Sequence, residues 1–309
     1  MTPARVRETA SPAAPVRRAR WGAGWRGPAA PAVFVVLWSS AFIAGIPGVR
    51  AAPPLLLMFG RFAIAGVLLG AYALVRRVPW PRGRDLAHVA VAGLLIQAVQ
   101  FGAFYSALGA GLPAAVVSLV QGLNPVVILL VGRVLGERVG AGQWAGFALG
   151  LAGVVLAVAD RISLSVSGVA LCLLGLAGLS AGTLYQQRYA PRMDALSGTA
   201  MQLLVSAPAA GLACLALGPV RVSDWTAFGL SVGWMALVNS IAAFILLNRM
   251  LQRSPASRVS TVFFLTPAVT AVLAWSLAGQ PLPPLAVAGL VLGGCGVLLA
   301  NLSTRRRVN

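Results

Sequence analysis

Amide and hydroxyl side chains interrupt two of the most apolar stretches of this 309-residue chain. Gln121, Asn124 and Pro125 lie within SLVQGLNPVVILLVGRVLGE, and Thr266 and Pro267 lie within STVFFLTPAVTAVLAWSLAG. A proline inside a helix removes one backbone hydrogen bond and leaves the carbonyl four residues earlier without its donor. Amides, hydroxyls and free carbonyls can hold a polar solute by hydrogen bonds. The chemistry that these residues offer is therefore reversible recognition.

Both prolines fall near the middle of their apolar stretches. Pro125 is about 12 residues and Pro267 about 10 residues into its stretch, which places each roughly 15–18 Å deep in a core of about 30 Å. In lipid a freed carbonyl needs a partner, so each break is expected to face protein or a water-filled cavity. A packing kink is the alternative for one proline. The occurrence of two such prolines, each directly preceded by a hydrogen-bonding residue, favours the interpretation that they line the wall of a cavity.

Further polar and aromatic side chains inside apolar stretches are candidates for the same cavity. They are Trp38, Arg61, Gln97, Gln100, Tyr105, Tyr185, Gln202 and Asn239. Hydrogen bonds between helices are the alternative role for the amides, since such bonds contribute about 0.6 kcal/mol each on average. Ordinary packing is the alternative for Trp38. Together these residues predict a polar and mostly uncharged interior.

Arg61 is the one arginine well inside an apolar stretch. A charge within the membrane is energetically costly and by default marks a functional site. Arg61 lies about 10 Å from the nearer end of its stretch by helical rise. Contact with substrate or a gate, snorkelling to the surface and a packed structural role therefore all stay open. The six acidic residues fall in tails, loops or helix ends, so no proton relay of buried carboxylates is visible.

GLSAG, residues 178–182, has the G-x-S-x-G spacing of serine hydrolases. That motif needs a strand–turn–helix elbow with a histidine and an acid beside the serine. Here Ser180 lies inside an apolar stretch, and His88, the only histidine, lies at the end of another. The chain also lacks the sequence motifs of zinc proteases and phosphate loops. We expect a protein that is not an enzyme and holds no metal or cofactor.

The elements that position these residues are transmembrane helices. The chain is 59% hydrophobic and only 10% charged, whereas soluble domains are about 25% charged. Ten apolar stretches have lengths near the ~20 residues that cross a bilayer as a helix. They are Ala29–Ile46, Leu55–Val75, Leu86–Leu108, Pro113–Gly132, Ala141–Ala159, Val166–Gln186, Leu196–Leu217, Trp225–Asn248, Ser257–Gly279 and Pro283–Leu302. The sequence predicts an all-α polytopic membrane protein with ten transmembrane helices.

The charge distribution predicts the orientation of these helices. The net charge of +18 comes from arginine alone. Most arginines lie on one side of the ten spans, and the opposite connections hold only Arg50, Arg161 and Arg221. The positive-inside rule then places both termini in the cytoplasm. The same distribution argues against a nucleic-acid partner, because the arginines flank spans and form no patch on a soluble domain.

The chain contains an internal repeat. Pro113, Asn124 and Pro125 align with Pro255, Thr266 and Pro267 at one offset, and with one inserted residue the glycines at 146, 150 and 153 align with those at 289, 293 and 296. Further upstream, Arg61 falls near Gln202. Because each copy holds five spans, the second copy enters the membrane from the opposite side. Inverted-topology repeats are typical of secondary transporters with a midplane site.

The repeat also predicts the domain organisation. Residues 1–28 form a disordered basic cytoplasmic tail, 29–159 the first five-helix repeat, 166–302 the second, and 303–309 a second basic tail. GFALG (146–150) and GLVLG (289–293) are paired GxxxG motifs, which bring helices into close contact. We expect this contact within one chain, and the protein to be a monomer or homodimer.

VLWSSAFIAG, FGRF and NPVVILLVGRVLGE in the first copy, and TPAVTAVLAWSLAGQ in the second, resemble the EamA-type family of the drug/metabolite transporter superfamily. The resemblance spans Ala29 to Leu302. It implies a ten-helix inverted-repeat fold with a cavity lined by the first four helices of each half. The family positions that match this chain are Trp38, Arg61, Asn124, Pro125, Glu137, Gln202, Thr266 and Pro267.

The resemblance implies a secondary transporter of small metabolites in the plasma membrane, often an exporter of amino acids or their derivatives, commonly by proton-linked exchange. Its partners are a small-molecule solute and the lipid bilayer. An importer of organic solutes and a non-transporting scaffold or receptor are the alternatives. One departure matters, because Gly279-Gln280 stands where the second copy often carries Gly-Glu. Glu137 then has no matching acid.

Overall fold

The computed structural model describes residues 29–134, 140–158, 166–189, 194–253 and 262–308. Every regular element in these ranges is a helix. The first half contains α1 (Ala29–Ala51), α2 (Pro54–Val75), α3 (Arg84–Gly93), π1 (Leu94–Val99), α4 (Gln100–Gly109), α5 (Ala114–Gly122), α6 (Asn124–Val134) and α7 (Ala141–Val158). The second contains α8 (Val166–Tyr189), α9 (Ala195–Leu217), α10 (Trp225–Trp234), π2 (Met235–Ala243), α11 (Phe244–Arg253), a 3₁₀ turn (Phe263–Leu265), α12 (Thr266–Ala278) and α13 (Pro284–Val308).

The described residues form a polytopic membrane protein. Six helices are long and apolar enough to cross a bilayer, namely Ala29–Ala51, Pro54–Val75, Arg84–Gly109, Val166–Tyr189, Ala195–Leu217 and Trp225–Leu247. Four shorter apolar helices are Ala114–Ile128, Trp144–Leu156, Thr266–Ala278 and Pro284–Gly296. Each predicted span overlaps one of these helices. α13 continues to Val308, past its predicted end at Leu302. The tail at 1–28, Glu137 and the start of the ninth span at Ser257 lie outside the described residues.

Polar side chains and glycines set several helix ends. The Asp194 carboxylate accepts the N–H groups of Leu196 and Ser197, at 2.8 and 3.1 Å, at the start of α9. Gly279 ends α12 with a left-handed φ of 61°, a conformation that favours glycine. Gln280 Oε1 accepts the Ala114 N–H at 3.1 Å. The amide that replaces the expected glutamate therefore satisfies a free donor at the start of α5.

Two π-helical segments occupy corresponding places in the two halves. π1 begins at Leu94 between α3 and α4, and π2 begins at Met235 between α10 and α11. π segments are rare, and they insert an extra residue into the helical turn and redirect the side chains that follow. Gln97 lies in π1 and Asn239 in π2. Both polar residues thus lie on turns that are wider than those of an α-helix.

The glycines of α7 and α13 lie against each other. A methyl group added to Gly153 would meet the backbone of Gly289 and Gly293, and one added to Gly296 would meet the backbone of Gly146 and Gly150. The later residue of α7 thus contacts the earlier residues of α13, and the earlier residues of α7 contact the later one of α13, so the two helices run in antiparallel directions. The GxxxG prediction of close contact within one chain is confirmed for these helices.

Most of the remaining helices pack around a large apolar cluster with buried side chains from α1, α2, α4, α5, α8, α9, α10, π2 and α12. A smaller cluster contains Phe34, Val35, Ala243 and Met250. α2 lies along α9, α1 packs against α10, π2 and α12, and α8 packs against α3, π1, α4, α5 and α6. The candidate polar residues lie on these inner helices. α7 and α13 pack mainly on each other.

Candidate functional site

The two proline-containing helices are broken where the sequence predicts. α5 ends at Gly122, Leu123 forms a turn, and α6 begins at Asn124. In the second half the 3₁₀ turn Phe263–Leu265 precedes the start of α12 at Thr266. A methyl group on Gly122 would lie 3.7 Å from the ring of Pro267. The two breaks therefore adjoin inside the bundle.

Polar atoms gather at the first break. Asn124 Oδ1 accepts a hydrogen bond from Ser180 Oγ of α8 at 2.9 Å. Gln121 Oε1 is buried and has no hydrogen-bond partner in the described part of the chain. The Pro125 side chain is exposed, whereas that of Pro267 is buried. The two breaks thus differ in their surroundings although their sequences match.

The second break lies beside an aromatic cluster formed by Phe34, Trp38 and Phe263. The three ring centroids lie 5.1 to 5.5 Å apart. The ring of Phe263 meets both of the others edge-on, an arrangement that aromatic pairs favour. Trp38 is half-buried in this cluster. Its packing joins α1 to the turn that precedes α12.

Hydroxyl groups next to Trp38 connect α1 to the second half. Ser39 Oγ donates to the Thr266 carbonyl at 3.3 Å. Ser40 Oγ accepts the indole N–H of Trp234 at 2.9 Å. Asn239 Nδ2 donates to the Leu37 carbonyl. Asn239 Oδ1 and Thr266 Oγ1 are buried and have no hydrogen-bond partner among the described residues.

Arg61 is buried, with 5% of its side-chain surface exposed. Its Nε donates to Ser240 Oγ of π2 at 3.0 Å. Its guanidinium carbon lies 4.4 Å from the centroid of the Phe101 ring, within the range of a cation–π contact. The described Arg61 side chain therefore points into the bundle and does not snorkel to the surface.

Tyr105 lies beside the Arg61 guanidinium. Its hydroxyl donates to the Ala41 carbonyl at 2.9 Å, and its ring stacks on Phe42 with centroids 6.3 Å apart. A methyl group on Gly45 would overlap the Tyr105 ring, so the glycine allows this close approach. Arg61 and Tyr105 thus form one buried group with Phe101 and Ser240.

The other candidates form a separate polar group. Gln202 Nε2 donates to Gln186 Oε1 at 2.8 Å. Tyr185 Oη lies 2.9 Å from His88 Nδ1. Gln97 is half-buried in π1. The Gln202–Gln186 bond connects α9 to α8 within the second half, and the His88–Tyr185 contact connects α8 to α3 of the first half.

Several contact residues have no strong sequence signal. Ser240, Phe101 and Gln186 touch candidates, yet each looks like an ordinary residue of an apolar stretch. Ser180 stands out in the sequence only through its hydrolase-like spacing. In the structure it lies within the continuous helix α8 and bonds Asn124, while His88 bonds Tyr185. The elbow required for a nucleophilic serine is therefore not formed at Ser180.

The side chains that could bind a metal ion are scattered over the described ranges. No group of three or more His, Cys, Asp or Glu side chains comes together there. The three cysteines are free. The described polar groups therefore offer hydrogen bonds and one positive charge.

The amino-acid sequence is similar to those of known membrane transporters. The model of the EamA-like transporter family matches residues 28–159 and 166–302. The chain is 28% identical over 249 residues to the "Uncharacterized inner membrane transporter YedA" of Escherichia coli K12, covering 80% of this chain and 81% of that one.

Other relatives carry names that mention amino acids. The "Probable terminal-alkyne amino-acid exporter" of Streptantibioticus cattleyicolor is 31% identical, with 88% and 93% of the two chains covered. The "Probable amino-acid metabolite efflux pump" of Salmonella typhimurium is 28% identical, with 88% and 94% covered. A solved crystal structure aligns with a TM-score of 0.62 at 23% identity, over 91% of this chain and 98% of its own. That likeness concerns the fold alone.

Proposed function

The chain belongs to the EamA-like transporter family, and we propose that it is a secondary transporter that exports amino acids or related small metabolites across the plasma membrane. The observation that carries the proposal is the pair of adjoining helix breaks. Gln121 Oε1 and Thr266 Oγ1 lie at these breaks as buried polar atoms without a described protein partner. Buried polar atoms are normally hydrogen-bonded. A solute that passes between the breaks supplies the missing bonds.

We propose that the fold is ten transmembrane helices in two inverted five-helix repeats, with both termini cytoplasmic. Three features support this arrangement. The π segments occur at corresponding places, the broken helices adjoin, and the glycine contacts of α7 and α13 are reciprocal. A two-fold axis produces reciprocal contacts. Exchange of conformation between two such repeats opens the site to either side in turn.

We propose that the twelve candidates line the solute pathway. They are Trp38, Arg61, Gln97, Tyr105, Gln121, Asn124, Pro125, Tyr185, Gln202, Asn239, Thr266 and Pro267. The buried amides and hydroxyls suit a polar solute, and the aromatic cluster around Trp38 forms a constriction on one side. Proton-linked exchange, without any cofactor, is the coupling that we propose.

Transport is tested in proteoliposomes. The purified protein is reconstituted, and efflux of radiolabelled amino acids is followed with and without a pH gradient. We expect solute-specific efflux that a gradient accelerates. If no solute moves and none raises the thermal unfolding temperature through binding, the transporter proposal is wrong.

The alternatives predict different results. An importer supports growth on an external solute, and deletion of its gene abolishes that growth without sensitising cells to internal solute. In a scaffold, positions 121, 124 and 266 are sealed from both sides of the membrane, and cysteines placed there do not react. In a transporter, cysteines placed there, in a protein whose three native cysteines are replaced, are expected to react with a polar thiol reagent. Protection by a transported solute would identify them as pathway positions.

A further inference from the structure

The Arg61 guanidinium has a donor group with no described partner. Nε bonds Ser240 Oγ, and one face lies on the Phe101 ring. The Nη1 group is buried and has no hydrogen-bond partner in the described ranges. A buried charge that lacks a hydrogen bond is strongly unfavourable. This geometry leaves the two N–H bonds of Nη1, on a buried cation, open to an acceptor.

The described part of the chain places no carboxylate beside Arg61. Asp85, Asp194 and Asp224 are all exposed near helix starts. The groups found at the guanidinium are a serine hydroxyl, a phenol and a phenyl ring. None of these carries a negative charge at neutral pH. The described residues therefore supply no counter-charge to Arg61, and an anionic group of a solute can supply one.

The corresponding position of the second half carries no charge. Gln202 falls near the position that matches Arg61, and its amide N–H donates to Gln186 Oε1. A symmetric anion site would need a second cation, whereas here one half offers a guanidinium and the other an amide that is already paired. Among the described candidate residues Arg61 alone carries a positive charge, which suits a solute with one anionic group.

We propose that Arg61 binds the carboxylate of the transported solute and makes the protein select carboxylates over the matching amides and amines. Guanidinium matches carboxylate because both groups are planar and their hydrogen bonds are charge-assisted. Ser240 and Phe101 orient the guanidinium and leave Nη1 for the solute. This inference rests on the proposed transport function and names the solute group that the same site recognises.

The test compares acids with their amides. The measurement is the efflux of a radiolabelled amino acid from wild-type proteoliposomes. It is made in the presence of each amino acid of a standard panel, of its amide and of its decarboxylated amine as competitors. We expect every transported solute to carry a carboxylate, and its amide to compete at least about tenfold more weakly, because hydrogen bonds to charged groups are the stronger ones. Equal competition by amides or amines would overturn the proposal while leaving transport itself established. No transport and no binding of any solute would overturn both.

Single-residue variants test whether Arg61 causes the preference for acids over amides. R61Q is expected to bring acid and amide within about twofold of each other, and R61K to keep part of the preference since it keeps the charge. S240A retains the guanidinium but removes its positioning bond, so it is expected to reduce the preference several-fold. R50Q changes an exposed arginine at the end of α1 and is expected to change nothing.

The unfolding temperature is measured for each variant before transport. If R61Q does not fold, S240A and R61K decide the question. A purely structural arginine would lower the unfolding temperature in these variants and leave the acid-to-amide ratio at its wild-type value. That result would contradict the proposal.

Discussion

At the scale of single residues, the hydrogen bond from Ser180 to Asn124 makes a measurable link between α8 and the break before α6. Hydrogen bonds within membrane proteins contribute about 0.6 kcal/mol on average. We expect S180A, N124A and the double variant to show a coupling energy of about that size, measured by detergent unfolding of the four proteins. A coupling energy of zero would mean that the bond does not form in the membrane.

Sequence reasoning found one partner of this bond and assigned no role to the other. Asn124 is conspicuous because an amide directly before a proline breaks an apolar stretch. Ser180 is conspicuous only as part of a hydrolase-like spacing, because its partner lies 56 residues away. The same limit applies to Arg61, whose Nε partner Ser240 is separated from it by 179 residues. Periodicity identifies a buried face but cannot pair two faces from distant helices.

At the scale of helices, we expect Pro267 to keep the helix interrupted at the break before α12. P267A restores the backbone N–H that can donate to the carbonyl of Phe263, four residues earlier, and favours a straight helix through the turn before α12. We expect the rate of solute efflux to fall by about tenfold, equivalent to about 1.4 kcal/mol in activation free energy. The matched control is P208A, which changes an exposed proline inside α9 and is expected to leave the rate nearly unchanged. Equal losses for both variants would refute a special role for the break.

The contact of α7 with α13 makes a second prediction at this scale. G153L places a large side chain where the backbone of Gly289 and Gly293 already lies. Overpacking of this kind typically destabilises by about 1–3 kcal/mol, so the unfolding temperature is expected to fall. G294L is the control, because a methyl group added at Gly294 meets no heavy atom within 4 Å. If G294L destabilises as much as G153L, the close crossing is not the cause.

The sequence predicts helices better than it predicts irregularities inside them. Apolar length alone locates the spans, and proline chemistry locates the breaks at Asn124 and Thr266. The π segments at Leu94 and Met235 escape prediction, because no residue type requires a π turn. Gln97 and Asn239 could be recognised as polar from the sequence, but their presence on widened turns comes from the packing of neighbouring helices.

At the scale of the whole molecule, the arginine distribution leads to a test of orientation. The positive-inside rule predicts that both ends of the chain lie in the cytoplasm. A green fluorescent protein fused after Asn309 is expected to fluoresce, and alkaline phosphatase at the same place to be inactive. Fusions after Arg221, on the predicted opposite side, are expected to give the reverse pattern. Matching results at both positions would exclude the odd number of spans, three, that we propose between Arg221 and Asn309.

The reciprocal glycine contacts of α7 and α13 have an evolutionary consequence. Gly153 meets Gly289 and Gly293, while Gly296 meets Gly146 and Gly150, which is the contact pattern of an isologous dimer interface. In a dimer of identical five-helix subunits, every substitution appears twice. The inverted repeat that we propose would follow from duplication and fusion of the gene for such a subunit, after which each copy mutates alone. The charge of Arg61 and the neutral Gln202 near its matching position would then be a difference that a symmetric dimer could not have carried.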